Sequence, residues 1–331
     1  MGISLKTHKM LWGRAGNRCA KPDCRIELVM DSSETDDESL IGEECHIIAR
    51  KPDGPRGDVS FPEEKIDKYE NLILMCSNHH KLIDDQTTTY TAEKLREIKK
   101  IHEQWVRNSL GGFDAQKQKD DEIYAAYIDS WVEFSHITNW KSWTSYLVSC
   151  DSPEIWIDVD TDLRKLREWI FSRIWPSRYP ELEHAFENFR RILQDFQNEF
   201  HKHSEKAPDI YYTKKFYQIE EWNDEKYERL RKMYEFHVDL IMDLTLELTR
   251  AANYICDKVR QYIDYNFRLN EGIILVESGP YIDKGISWRQ HKAIYRDGER
   301  TDIPYPGINE FKNIRSKRDY SFGIGSSEHD P

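Results

Sequence analysis

No stretch of this 331-residue chain approaches the ~18 uninterrupted apolar residues that a membrane-spanning helix requires, and residues 1–6 lack the apolar core of a secretory signal. The expectation is a cytoplasmic protein with no membrane partner. Positive charge is also in short supply: 48 Lys and Arg face 60 Asp and Glu, a net charge of −12. Residues 1–112 hold 17 basic against 20 acidic side chains, and residues 113–331 hold 31 against 40. Phosphate backbones are gripped by Lys and Arg, so neither part has the broad basic face of a nucleic-acid reader. Contact with DNA would need a local basic patch, a groove between subunits, or bound metal ions. Cysteine is scarce, six in all, yet Cys19, Cys24, Cys45 and Cys76 crowd the first 76 residues near histidines. In a reducing compartment that clustering points to metal ligation rather than disulfides. There is no internal repeat of fixed period and no readable nucleotide-binding fingerprint in the second part.

What is present supports packed cores. Hydrophobic residues make up 38%, with 10 Trp, 18 Tyr and 13 Phe, and the length fits about two domains. A short helix is expected over residues 4–15, stopped by Gly16. Asp31–Ser39 is polar without apolar period and reads as a solvated loop. The apolar run around Cys45–Ala49 reads as a strand entering the Pro/Gly turn Lys51–Gly57, and Asn71–Cys76 leads into two helical turns over Ser77–Asp84. From Thr91, as N-cap, a helix runs to about Leu110 with Leu95, Ile98, His102, Trp105 and Val106 on one stripe. Gly111 and Gly112 mark the boundary between domains 1–112 and 113–331.

The second domain reads as mainly helical. Leu182, Phe186, Phe189, Leu193, Phe196 and Phe200 alternate steps of four and three. A second seam runs through Tyr227, Leu230, Tyr234, Val238 and Ile241, then after a slip through Leu248, Ala252, Ile255, Val259 and Tyr262. Some forty helical residues make a rod of roughly 60 Å, whose stripe must be buried against the first seam or a second subunit. Strands and turns are expected from Gly272 to Tyr305, and a frayed tail from Gly323. Trp131, Trp140, Trp143, Trp156, Trp169 and Trp175 read as core before ligand platforms. Cys150 and Cys256 also read as core. His201 and His203, at a helix end, suit the helix dipole.

Two ligand pairs carry the chemistry. Cys19 and Cys24 are separated by four residues, and Cys76 and His79 by two; together they form the Cys3His set that tetrahedral zinc prefers. His80 follows His79 directly, and neighbours on a helix point about 100° apart, so the two rings would serve different sites. His79 would face a structural zinc and His80 a second, open site. His46 and Asn71 complete a His…Asn…His pattern. Phosphodiester hydrolysis needs a base for the attacking water, for which a neutral imidazole such as His46 is suited near pH 7. It also needs a cation against the developing negative charge, which His80 would hold. The Asn71 amide can bind a backbone group or orient the base, fixing the intervening loop.

Leu11–Cys19, Glu44–Ala49, Asn71–His80 and Ile83–Asp84 together resemble the HNH endonuclease family over about residues 10–110. The resemblance implies a small ββα-metal domain; with the larger mainly α-helical domain that follows, its long heptad-like helices and its small C-terminal β segment, the expected fold class is α+β. It implies His46 as general base, Asn71 as the family Asn, and His80 as ligand of a catalytic Mg²⁺, Mn²⁺ or other divalent ion, with DNA as substrate. Where many members carry an acidic or histidine ligand before the first His, this chain has Cys45, a soft donor that suits Mg²⁺ poorly. Cys45 is thus either a metal ligand or a buried small residue, with Glu44, Asp84 or water completing the site; Asp84 reads equally as a helix-end carboxylate. The domain arrangement resembles effector nucleases of bacterial anti-phage defence, with the helical domain as regulator, oligomeriser or partner-binding module. A restriction-type enzyme reading specific or modified DNA, and a non-catalytic zinc module binding nucleic acid or protein, are the alternatives.

Overall fold

The computed structural model describes residues 2–30, 39–109, 115–149, 152–221, 223–282 and 286–318. The expected linker at Gly111 and Gly112, most of the polar loop from Asp31, Cys150, and the tail from Gly323 lie outside the described residues. The chain divides into two compact units, Met1–Asp129 and Ser130–Pro331.

The first unit opens with α1, Leu5–Ala15. Ser4 caps it through an Oγ that accepts the Thr7 N–H, and Gly16, at φ 61°, ends it in the left-handed conformation glycine adopts at little cost. Two short strands, β1 (Val29–Met30) and β2 (Ser39–Leu40), pair antiparallel. Then β3 (Gly42–His46) pairs antiparallel with β4 (Leu72–Cys76), with His46 opposite Leu72 and Gly42 opposite Cys76. α2 (Ser77–Asp85) follows β4 without a loop, giving a ββα unit. Every residue of β4 is buried, and removing each of its large apolar side chains from water is worth about 1.5–3 kcal/mol. The core joins them to Leu11, Trp12, Leu28, Ile47, Ile83, Leu95 and Ile98. α3 (Ala92–Ser109) lays Leu95, Ile98, His102 and Val106 inward, and the Thr91 hydroxyl accepts the Lys94 N–H at its start. α4 spans Ala115–Phe134. Within this unit it returns to α1: Gln118 donates to Lys9 O, and the Asp129 carboxylate accepts the N–H groups of Leu5 and Lys6 at 2.9 Å. Those are donors that the first turn of a helix leaves unpaired.

In the second unit α5 (Trp140–Val148), β5 (Glu154–Trp156) and α6 (Ile157–Phe171) precede α7 (Pro180–His201). All six residues of the first seam are buried on α7. β6 (Ser204–Lys206) and β7 (Ile210–Thr213) join β5 in a sheet of order β5-β7-β6. α8 (Asp224–Tyr262) is a single helix of 39 residues that packs along α7 and α5. A hairpin, β8 (Val276–Ile282) with β9 (Ile286–His291), and a last helix, α9 (Ile308–Arg318), complete the unit. The structure departs from the pattern along α8. The expectation was an apolar stripe, whereas every residue from Leu240 to Cys256 is buried, Asp243, Glu247 and Arg250 included. These polar groups are paired: Glu247 accepts from the Tyr295 hydroxyl at 2.9 Å, and Arg315 bonds Asp243, as burial away from water demands. Trp131, Trp140 and Trp143 are core residues, while Trp156 is exposed. His201 ends α7 and hydrogen-bonds the buried Asp160 at 3.1 Å. Among the described residues no helix is long and apolar enough to cross a membrane.

Candidate active site

Residues 17–28 fold back on themselves. Leu28 donates to Asn17 O at 2.8 Å, Cys19 to Ile26 O at 3.0 Å, and Cys24 to Lys21 O at 2.9 Å across the intervening turn. Ala20 donates to Leu74 O at 2.9 Å, which lays this knuckle against β4, where Cys76 is the last residue. His79 stands in the first turn of α2. The Cys19, Cys24 and Cys76 sulfurs and a His79 ring nitrogen therefore lie within 4.8 Å of one another, with His79 Nδ1 at 3.1 Å from Cys76 Sγ. Among the described residues this is the one group of three or more His, Cys, Asp or Glu side chains whose ligand atoms already lie that close together. Three thiols and an imidazole suit zinc by donor type and number. Burial pushes the Cys19 thiol up to about 12, so a thiolate there calls for a cation beside it.

His80, one residue on, faces a different group. Its Nδ1 hydrogen-bonds the Glu43 carboxylate, and its Nε2 lies 3.3 Å from Asp84 Oδ2, one helical turn away. The hydrogen bond from His80 holds the Glu43 carboxyl below its ordinary value. Strand alternation explains why Glu43 and not Glu44 arrives here. Glu44 projects to the other side of β3, where Trp12 Nε1 donates to it at 3.0 Å and His8 Nδ1 lies at 2.7 Å. Cys45 is 1% exposed and its Sγ donates to Glu43 O at 3.4 Å. Burial pushes its thiol up.

His46 ends β3, and its Nε2 is 2.9 Å from Asp67 Oδ1. Burial pushes the Asp67 carboxyl up, but hydrogen bonds from His46 and Arg50 outweigh it and hold the group below its ordinary value. Asn71 is 2% exposed and spends its amide on the backbone. Its Nδ2 donates to Ile48 O and Ile66 O and its Oδ1 accepts from Ile48 N, each at 3.0 Å. Ile48 lies two residues after His46 and Ile66 one before Asp67, so one side chain clamps both ends of the His46–Asp67 pair. Arg56 joins strand to helix: its guanidinium donates to Ile47 O at 2.8 Å and to Asp84 Oδ1 at 2.7 Å.

Residues 24–89 match the model of the HNH endonuclease family. This segment is similar to an HNH endonuclease domain. A comparison of the whole chain with curated proteins returned no match. The matched stretch begins at Cys24, so Cys19 completes the metal set from outside it. Glu43, Asp67 and Arg56 join the candidate site without having been expected from the sequence. Glu43 was legible in principle, since alternation from His46 separates it from Glu44. Asp67 and Arg56 carry no signal in the sequence, because each is one charge in a polar loop whose path back over the strand is set by tertiary contacts.

Proposed function

We propose that the protein is a metal-dependent DNA endonuclease that hydrolyses phosphodiester bonds at its HNH site. One observation carries the reading: the family match falls on the segment in which His46 ends β3 with one ring nitrogen held by a carboxylate, while His80 on α2 stands between two carboxylates. His46 takes the proton of the attacking water. Asn71 sets the backbone on both sides of that base. Glu43, His80 and Asp84 are the donors for a catalytic ion. Two carboxylates and an imidazole suit Mg²⁺ or Mn²⁺ by type, and one nitrogen of His80 must exchange its carboxylate partner for the ion. When bound, such an ion supplies positive charge to the phosphate and leaving oxygens. Cys45, packed in the core, has no part in this reading, and the zinc of Cys19, Cys24, Cys76 and His79 is structural.

The finer reading is conditional cutting, as in an effector of bacterial anti-phage defence, with residues 130–331 restraining or releasing the nuclease by binding a partner or by oligomerising. The acidity of the chain beyond residue 112, 31 basic against 40 acidic side chains, favours regulation over DNA reading. The test is plasmid cleavage with Mg²⁺ and Mn²⁺. Wild type should nick or linearise the plasmid, while His46→Ala and Glu43→Gln, with unchanged zinc content and melting, should not. Cleavage by clean His46→Ala protein at the wild-type rate would overturn the assignment. A fragment of residues 1–129 that cuts faster than the full chain would support restraint.

A further inference from the structure

The structure assigns Asp67 as the positioning residue that fixes the tautomer of His46, an inference that rests on the nuclease reading above. An ionised carboxylate only accepts hydrogen bonds, and the Asp67 carboxyl is held below its ordinary value. At 2.9 Å from Asp67 Oδ1, Nε2 of His46 therefore carries the ring proton and donates it. In a neutral imidazole the other nitrogen, Nδ1, is then the lone-pair site. Among the described residues Nδ1 of His46 has no hydrogen-bond partner, and the side chain is 22% exposed, so this nitrogen is open to a water molecule. When that water attacks, its proton passes to Nδ1, and the positive charge that appears on the ring lies against the Asp67 carboxylate. Asp67 itself stays ionised and touches no reacting atom.

The pair is built, not incidental. Asp67 is 18% exposed at its side chain, follows Ile66, whose carbonyl is held by Asn71, and is bonded a second time by Arg50. Arg50 reaches the same Oδ1 from a half-exposed position. That shared oxygen raises a competing explanation: Asp67 could act by holding Arg50 toward the phosphate backbone. The two roles separate in kinetics. Loss of a group that places the base lowers kcat, whereas loss of a phosphate contact raises KM.

The experiment combines two readouts on zinc-loaded, full-length protein. Nitrogen-15 NMR of the imidazoles, with His46 identified by its loss in His46→Ala, should show the Nε2–H tautomer in wild type and its loss or mixing in Asp67→Asn. Plasmid cleavage by Asp67→Asn should fall roughly 100-fold in kcat with little change in KM, the low end of what a positioned base contributes. Arg50→Gln should change KM and leave kcat nearly unaltered. A wild-type His46 in the Nδ1–H form would overturn the inference, as would an Asp67→Asn protein with wild-type kcat. An Arg50→Gln protein with the same loss of kcat would also overturn it, by transferring the effect to Arg50. If wild type cuts no DNA, the nuclease reading fails, while the tautomer measurement still decides whether Asp67 sets the ring.

Discussion

Replacing Asn71 by alanine removes three hydrogen bonds at once and leaves Ile48 N, Ile48 O and Ile66 O without partners beneath a side chain that is 2% exposed. Each such bond contributes about 1 kcal/mol net, and a buried group left unpaired costs about 1–3 kcal/mol. Water entering the space vacated by the amide recovers part of that. The expected loss is therefore about 3 kcal/mol, a large share of the ~5–15 kcal/mol that stabilises a typical domain. The damage should be local first, in the segment between His46 and Asp67. Hydrogen exchange reads it directly, because the Ile48 amide is one of the three bonds. A loss of about 3 kcal/mol corresponds to roughly 100-fold faster exchange at Ile48, with smaller effects on the α3 amides. Cleavage should fall together with this protection, whereas His46→Ala should lose cleavage and keep it. An Asn71→Ala protein whose Ile48 amide exchanges at the wild-type rate, or whose stability falls by less than about 1 kcal/mol, would refute the clamp.

Two further outcomes follow from the same geometry. Cys76→Ser should release the bound zinc, read as metal per chain after gel filtration, and unfold the first unit while buried Trp140 and Trp143 of the second keep their native emission; a variant retaining zinc and fold would show that the set is not a metal staple. Acid should weaken the second unit through His237. Burial, with His203 and Lys202 nearby, drives this imidazole down to about 4, below the ~6.5 of the unfolded chain. A depressed folded value means that the unfolded state binds the proton first. Stability is then complete above pH ~6.5 and is lost as pH falls toward 4, by at most about 3 kcal/mol. Urea midpoints at pH 7.5 and 4.5 should differ by less in His237→Phe than in wild type, and equal differences would discount His237.

The sequence by itself determined the local elements and the Cys3His cluster. A Ser cap and a glycine stop bound α1, a four-and-three rhythm of large apolar residues marks α7, and two short ligand pairs need only approach each other to make a Cys3His centre. The adjacency of His79 and His80 also sufficed to send them to different groups, since the angle between neighbours on a helix is a local property. Tertiary structure decided the rest. Whether Glu43 or Glu44 accompanies His80 depends on which face of β3 meets α2 and which meets α1. The partner of His46 depends on the path of residues 47–71, a path held by one amide and one guanidinium that bind backbone carbonyls distant in sequence. Polar loops carry no period from which such a path can be read. The centre of α8 shows the same limit from the other side: its stripe predicted one buried face, but α5, α7 and the later segments around Ile274, Ala293 and Arg315 leave no face of it exposed. Its charges survive there because residues far along the chain, Tyr295 and Arg315, arrive to pair with them.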